Sequence, residues 1–545
     1  TINGRQVDAP EGSTILEAAR ECGYEIPTLC AFNHGECSLA SCRVCLVEAT
    51  GARGLVASCV YPVAEGMEIK INTPKAVAAR RFSVELLLSN HSMQCQQCDK
   101  NGKCELLHVA KITGARENKF IGEKTPVTLD QITPSIIRDT SKCVLCGRCV
   151  ARCNAIHGTG ILGFENRGFN TIVAPAENRS FADSPCILCG QCVSVCPTGA
   201  LMEKSEIDKV DEAKKAGKYI VVQTAPAVRA ALGEEFGMKI GTPVTGKMVA
   251  ALKRLGFDKV FDTNTGADLT IMEEANEFIE RFKENKEIPM ITSCSPGWIR
   301  YIELNYPELL GHLSSCKSPH QMFGAILKSY YAEKQGIDPK KMYVVSVMPC
   351  VAKKFEKTRE QMPDDVDAVI TTRELARMIK QANIDFVNLE DSKFDDPMGE
   401  ATGAAAIFGT TGGVMEAALR TAYETVTGEE LEKVDFEDVR GKKGIKKAEI
   451  KVGDVNLKVA VAHGLSNARK ILEEIKNGTA DYQFVEIMAC PGGCVTGGGQ
   501  PIVSSKVRNE VDVRKLRADA LYSIDEKKVI RKSHENPTIK NLYEE

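Results

Sequence analysis

Cys143-Val144-Leu145-Cys146-Gly147-Arg148-Cys149-Val150-Ala151-Arg152-Cys153 returns with the same spacing as Cys186-Ile187-Leu188-Cys189-Gly190-Gln191-Cys192-Val193-Ser194-Val195-Cys196-Pro197. Three thiolates two residues apart sit on successive tight turns, and a fourth follows one helical turn later, which is the ligand spacing of 4Fe-4S sites. Neither chance nor zinc accounts for eight thiols in this register. Asn154 stands where Pro197 follows the second run, a departure that leaves all eight thiols in place. Around this repeat the chain runs to 545 residues, more than one hydrophobic core usually serves, so several domains are expected. Twenty-two cysteines in a long chain of ordinary composition read as metal ligands rather than as a disulfide framework. The formal net charge of -3 points away from nucleic acid and membrane surfaces and toward small substrates or protein partners. With no apolar run of about 18 residues and no basic-then-apolar leader, the expected compartment is the cytoplasm.

The repeat resembles the bacterial two-cluster ferredoxin, in which the fourth cysteine of each run crosses to the other cluster. The resemblance implies one 4Fe-4S cluster on Cys143, Cys146, Cys149 and Cys196, and a second on Cys153, Cys186, Cys189 and Cys192. Upstream, His91-x3-Cys95-x2-Cys98-x5-Cys104 lies in a turn-rich segment with Asp99, Asn101 and Gly102. Taken alone this set fits a structural zinc site as well as a 4Fe-4S cluster; its position between two ferredoxin-like segments favours the cluster. A neutral histidine in place of a thiolate removes one negative charge, which shifts the potential. Earlier still, short alternating runs (Ile2 and Val7; Arg43 to Glu48) flank a helix-like stretch from Ser13 to Cys22, the pattern of a small sheet-plus-helix domain. Its Cys30, Cys42, Cys45 and Cys59 resemble the 2Fe-2S site of hydrogenase and complex I-type ferredoxin domains. Cys22 and Cys37 stand outside every pattern and read as packed thiols. Fifteen cysteines and one histidine before residue 200 thus serve four clusters, a wire that also begins the large iron-sulfur subunit of respiratory complex I.

Beyond residue 215, β-branched runs such as Tyr219-Ile220-Val221-Val222 and Tyr343-Val344-Val345-Ser346-Val347-Met348 alternate with helical patterns, as in an α/β domain. Three loops lie within it: Thr292-Ser293-Cys294-Ser295-Pro296-Gly297-Trp298, Met348-Pro349-Cys350-Val351-Ala352-Lys353-Lys354-Phe355-Glu356, and Glu486 to Gly499 with Cys490-Pro491-Gly492-Gly493-Cys494. These resemble the signature loops of FeFe hydrogenases, and with the cluster modules in matching order the resemblance spans essentially the whole chain. The expected fold is an α/β catalytic domain preceded by α+β ferredoxin-type modules. These are a β-grasp 2Fe-2S domain (1–75), a 4Fe-4S segment ligated by one histidine and three cysteines (76–125) and a two-cluster bacterial ferredoxin fold (126–208); the catalytic domain with its tail spans 209–545.

The resemblance implies reversible oxidation of molecular hydrogen at an H-cluster, a 4Fe-4S unit joined to a diiron centre carrying CO, CN and a bridging dithiolate amine. The implied metal ligands are Cys350, Cys490 and Cys494, the last bridging the two iron units; Lys353 donates to a cyanide, and Met348, Met488 and Pro226 line the diiron unit. Without the resemblance Lys353 reads as a surface lysine. The implied proton path runs over Arg281, Glu277, Ser314 and Glu274 to Cys294; read from periodicity alone, Glu274, Glu277 and Arg281 are one solvated helix face, opposite a stripe of Met272, Ala275, Ile279 and Phe282. Where the family has two adjacent cysteines this chain has Cys294-Ser295, so the fourth ligand is contested among Ser295, Cys294 and Cys316. Oxygen is a hard donor for soft iron-sulfur chemistry, which gives the nearby Cys316 thiol weight, although it reads equally as a small buried hydrophobe. Electrons are expected to leave for ferredoxin or for flavin or NAD(P)-binding partner subunits. Gly409-Thr410-Thr411-Gly412-Gly413 lacks the context of a nucleotide loop and reads as cofactor-site backbone. Hydrogen sensing, or electron transfer or assembly without hydrogenase activity, are the alternative functions. The final forty residues read as a solvated helical tail without chemistry.

Overall fold

The computed structural model describes residues 1–545 apart from 33–35, 117–118, 400, 432, 442, 454 and 545. At the amino end, Leu46–Ala49 pairs antiparallel with Val56–Ala57 on one side and Ile69–Lys70 on the other. The helix Ile15–Glu21 packs on this sheet and starts where Thr14 and Glu17 form a reciprocal capping box. Helices Pro74–Asn90 and Glu105–Thr113 then pack together and carry the His91 segment between them. In the two-cluster unit the helix Arg148–His157 lies beside an antiparallel sheet of Leu129–Asp130, Ile136–Asp139 and Leu201–Glu203.

Two four-stranded sheets build the α/β portion. One orders Lys259–Asp262, Tyr219–Thr224, Met342–Met348 and Ala368–Thr371, all parallel. The other orders Met290–Ile291, Phe484–Met488, Val455–His463 and Ile445–Val452, with only the last strand antiparallel. Apart from the alternating edge strand Ile445–Val452 and the exposed start of Val455–His463, these strands are buried on both faces and are the near-continuous Val, Ile and Ala runs that the sequence displays. All three signature loops leave carboxyl ends of parallel strands: Thr292 follows Ile291, Pro349 follows Met348, and Ala489 follows Met488. That edge is where open α/β sheets place their ligands.

Two expectations are corrected here. The helix Thr263–Glu284 buries Ala267, Ile271, Ala275 and Phe278, whereas Phe282 is 36% exposed, so the apolar stripe is rotated from the expected one. The reason is that Glu274 faces inward on this helix and is itself buried. The closing residues are not a solvated tail either: Val513–Glu526 buries Val513, Ala520 and Leu521, and Asp525 sits fully buried between Arg420, at 2.9 Å, and Arg531, at 2.6 Å. Removing one member of such a buried set leaves uncompensated charge. Asp525→Ala is therefore expected to destabilise the catalytic portion by about 3–5 kcal/mol, read as a fall in its thermal unfolding midpoint; an unchanged midpoint would show that the segment does not hold the fold. Among the described residues no helix is long and apolar enough to cross a membrane.

Candidate functional site

The cysteines of the amino-terminal half gather into four sites, grouped as their spacing and the ferredoxin resemblance suggest. Cys143, Cys146, Cys149 and Cys196 line one cavity, and Cys153, Cys186, Cys189 and Cys192 line another, so the fourth thiol of each run does cross. His91, Cys95, Cys98 and Cys104 line a third, into which the buried His91 brings an Nε2 that has no hydrogen-bond partner. Cys30 contacts Cys42 and Cys59, and Cys45 contacts Cys59, which closes the fourth set. Burial pushes the thiols of Cys143 and Cys186 up, to about 11 and about 12. Uncharged thiols packed this densely fit metal sites, where binding a cation drives the deprotonation that burial opposes. The two amino-terminal sites both abut the Cys143 side of the two-cluster unit. Cys30 and Cys42 pack in one buried cluster with Val144 and Cys146, and a Cβ on Gly199 would stand 2.7 Å from Cys98 Sγ.

A larger cavity opens where the signature loops meet. Cys294, Ser295, Cys350, Lys353, Cys490, Cys494, Met348, Met488 and Pro226 all line it, and so does Cys189. Burial pushes the thiols of Cys350, Cys490 and Cys494 up, the last to about 12, with the neighbouring thiols adding to the shift for Cys490 and Cys494. Three such thiols in a mostly apolar wall fit an iron-sulfur cofactor by the same argument. Glycines close the seam between these loops. A Cβ on Gly497 would stand 2.2 Å from the Pro349 carbonyl oxygen, and one on Gly498 2.2 Å from that of Cys189, so these glycines let loop pack on loop. Gln191 spans the seam, donating from Nε2 to Cys490 Sγ at 3.3 Å and to the Thr496 carbonyl at 2.8 Å.

Cys316 is not brought to the cavity. Ser293 Oγ donates to the Cys316 carbonyl at 2.7 Å and Ser314 N to the Ile291 carbonyl at 2.8 Å; this anchoring leaves the sulfur 3.9 Å from Glu277 Oε2. Of the three contested ligands, Ser295 and Cys294 therefore line the cavity. The Ser295 hydroxyl accepts from Ala489 N at 3.3 Å.

Glu277, Ser314 and Glu274 form one row from the surface inward. Arg281 Nη2 donates to Glu277 Oε1 at 2.6 Å, Ser314 Oγ donates to Glu277 Oε2 at 3.2 Å, and Ser314 also contacts Glu274. Burial pushes Glu274 up to about 7, and the charges of Glu277 and Glu486 add to it while Ser314 opposes. Cys294 lies close enough to Glu274 for that carboxylate to raise its thiol further, after burial itself.

Sequence reasoning missed several polar groups here. Glu356 is buried and accepts from Lys353 Nζ at 2.9 and 3.1 Å; burial opposes its ionisation, but the Lys353 charge and the hydrogen bonds from Lys353 and His320 hold the carboxyl well below the usual carboxylate range. Lys353 Nζ also donates to the Cys294 carbonyl at 3.1 Å. Glu486 accepts from Gly412 N at 2.6 Å and Met415 N at 2.8 Å, tying the Gly409–Gly413 loop to the strand that leads into Cys490. His157 Nε2 lies 3.3 Å from Cys189 Sγ. Of these groups, Glu356 and Glu486 alone carried a local signal, since both stand in signature loops.

Comparison with known proteins agrees with this assembly. Residues 218–498 match the profile of the iron only hydrogenase large subunit, C-terminal domain. Residues 1–74 match a 2Fe-2S iron-sulfur cluster binding domain and 80–119 the NADH-ubiquinone oxidoreductase-G iron-sulfur binding region. A 4Fe-4S dicluster domain matches at 135–197, and an iron hydrogenase small subunit profile at 511–545, the segment that packs through Val513, Ala520 and Leu521. The NADP-reducing hydrogenase subunit HndD of Solidesulfovibrio fructosivorans is 52% identical over 100% of this chain and 95% of its own length. Iron hydrogenase 1 of Clostridium pasteurianum is 46% identical over 100% and 96%. A solved variant of FeFe-hydrogenase HydA1 from Chlamydomonas reinhardtii is 43% identical and superposes on 62% of this chain and 93% of its own with a TM-score of 0.54. With the thiols of three signature loops around one cavity and relatives matching end to end, the chain belongs to the iron-only hydrogenase large subunit family and is an FeFe hydrogenase carrying 2Fe-2S and 4Fe-4S domains ahead of its H-cluster domain.

Proposed function

We propose that this enzyme oxidises hydrogen reversibly in the cavity between the two sheets, with Cys350, Cys490 and Cys494 holding the H-cluster and Ser295 supplying the remaining donor. When bound, the diiron group supplies the open iron position and the amine at which hydrogen is split. The residues of the chain then do three things. Met348, Met488 and Pro226 keep the wall apolar, which excludes water and strengthens local electrostatics. Lys353 is fixed by Glu356 and the Cys294 carbonyl, and its Nζ would donate to a cyanide of the bound group. Cys294 passes a proton to Glu274, and Ser314 passes it to Glu277 beside Arg281, where the pair is 18% and 15% exposed. A group held near 7 exchanges protons both ways at neutral pH, which suits a reversible relay.

Electrons take a separate route over one 2Fe-2S and three 4Fe-4S clusters, in four units divided near residues 75, 125 and 208. The observation that carries this reading is Cys189, which lines both the large cavity and the adjoining cluster site. From there the route continues to the Cys143 site and forks toward the His91 and Cys30 sites, supported by the approach of Cys98 to Gly199 and by the packing of Cys30 and Cys42 with Cys146. Two exits suit two acceptors. The resemblance to HndD, named as a subunit of an NADP-reducing hydrogenase, supports partner subunits that pass electrons to NADP; ferredoxin, a flavin-binding partner and a cytoplasmic location complete the proposal. Hydrogen uptake measured with ferredoxin and with nicotinamide offered separately tests this. Ferredoxin reduction by the chain alone, and nicotinamide reduction only once partner subunits are added, are expected; nicotinamide reduction by the chain alone would refute the partner assignment.

A further inference from the structure

One ionisable ring in the cavity wall has no task in hydrogen cleavage or proton relay as described. His320, in the first turn of the helix Pro319–Ile326, lines the cavity with Lys353 and is 1% exposed. Its Nε2 is hydrogen-bonded to Glu356 Oε2, and its Nδ1 stands 3.2 Å from Ser346 Oγ. Glu356 also accepts from Lys353 and, at 3.0 Å, from Ser318 Oγ. An ionised carboxylate only accepts, so Nε2 carries the hydrogen, and Nδ1 then accepts from the Ser346 hydroxyl. Both ring nitrogens are satisfied with the imidazole neutral.

The charged groups facing the ring are few. Lys353 and Glu356 come from one turn, and Asp365 lies beyond them, already bound to Lys317 at 2.6 Å. Strand Tyr219–Thr224 presents the Gln223 amide, which donates to the His320 carbonyl at 2.9 Å, and strand Met342–Met348 presents Ser346. Burial and the charge of Lys353 push the imidazole below its ordinary 6.5, with Glu356 opposing. A neutral donor shares Oε2 with Lys353 and Ser318 and adds no charge, and Lys353 keeps Oε1 as well. An imidazolium would donate to the same oxygen but put a second positive charge beside Lys353.

We propose that His320 is a positioning residue whose neutral imidazole, donating from Nε2, orients Glu356 and through it holds Lys353 Nζ at the cavity wall. What Lys353 meets there rests on the cyanide assignment made above; the orientation itself does not. Nitrogen NMR of the histidine side chains in the full chain without its H-cluster reads the tautomer directly, with His320→Gln identifying the signal. Infrared spectra of the loaded enzyme between about pH 5 and 8 read the cyanide stretches. His320→Gln keeps an N–H donor for Glu356 but cannot titrate, and His320→Leu loses the donor.

The ring is expected to be neutral and protonated on Nε2 at about pH 7, and to gain its second proton in one step below the ordinary histidine range. The cyanide bands of the wild type are expected to move through that same step. His320→Gln is expected to match the wild-type bands at high pH and lack the step. His320→Leu is expected to show displaced bands at every pH and turnover lower by about 10- to 100-fold, as for other groups that orient a metal site from outside its ligands. An Nδ1–H tautomer, an imidazolium at neutral pH, or an acid step that survives in His320→Gln would overturn the proposal. Cyanide bands unmoved in Lys353→Met would instead overturn the cyanide assignment, and the tautomer, with its expected loss in Glu356→Gln, would still decide the role of His320.

Discussion

Cys494→Ala is expected to abolish hydrogen turnover while leaving the iron of the amino-terminal sites in place. Cys494 enters the cavity at the end of a loop locked by Gly493 and Gly497, so no neighbouring backbone can shift to supply another donor. Its thiol, pushed up to about 12 by burial and by Cys350, is a group that a bound metal has to deprotonate, and the metal thereby gains a full negative charge at its sulfur ligand while a proton is released. Loss of a group that merely orients a ligand costs about 10- to 100-fold. Loss of the ligand proposed to hold the H-cluster itself is expected to exceed that and to take turnover down to background. Cys494→Ser is expected to retain a small fraction, since oxygen is a poorer match for these irons. Hydrogen uptake together with iron content checks both variants; wild-type turnover in Cys494→Ala would remove this cysteine from the site.

The second large effect falls on protons. Glu274→Gln keeps the shape and the contacts with Ser314 but cannot carry a proton, and turnover is expected to fall by about 10²- to 10⁴-fold with iron content unchanged. The same residue leaves a signature in stability. A carboxyl raised from 4.5 to about 7 binds its proton more tightly in the folded chain than in the unfolded one. Its contribution is present below pH 4.5 and is lost as pH rises through 7. Glu274→Gln is therefore expected to gain stability relative to the wild type as pH rises across that window, by about 3 kcal/mol in all. Denaturant unfolding at the two ends of the window measures this. A stability difference that does not change with pH would mean that Glu274 is not held protonated, and a turnover unchanged in Glu274→Gln would move the proton path elsewhere.

The sequence was legible where function depends on local spacing. Cys143, Cys146 and Cys149 converge because two residues separate each pair on one turn, and no distant contact is needed to place them. The crossing of Cys153 and Cys196 was legible only because the whole repeat resembles a known unit. Ser295 against Cys316 was not legible, because both lie near Cys294 in loops of similar composition and only the tertiary bonds of Ser293 and Ser314 turn Cys316 toward Glu277. Gln191, His320 and His157 carried no signal at all. Each is an ordinary polar residue in its own segment and gains its role from a partner far along the chain, as Gln191 does from Cys490, 299 residues away. The helix Thr263–Glu284 shows the same limit from the other side: its period was correct, but the burial of Glu274 rotates the face that packs inward.

The measurement that bears most directly on the account is infrared spectroscopy of the iron-loaded enzyme under hydrogen and under carbon monoxide, with Cys494→Ala beside it. Bands from iron-bound carbon monoxide and cyanide that respond to hydrogen, and that vanish in Cys494→Ala while the cysteine sites of the amino-terminal half stay loaded, are the predicted result. A fully iron-loaded chain without such bands would contradict the assignment of the cavity to hydrogen chemistry.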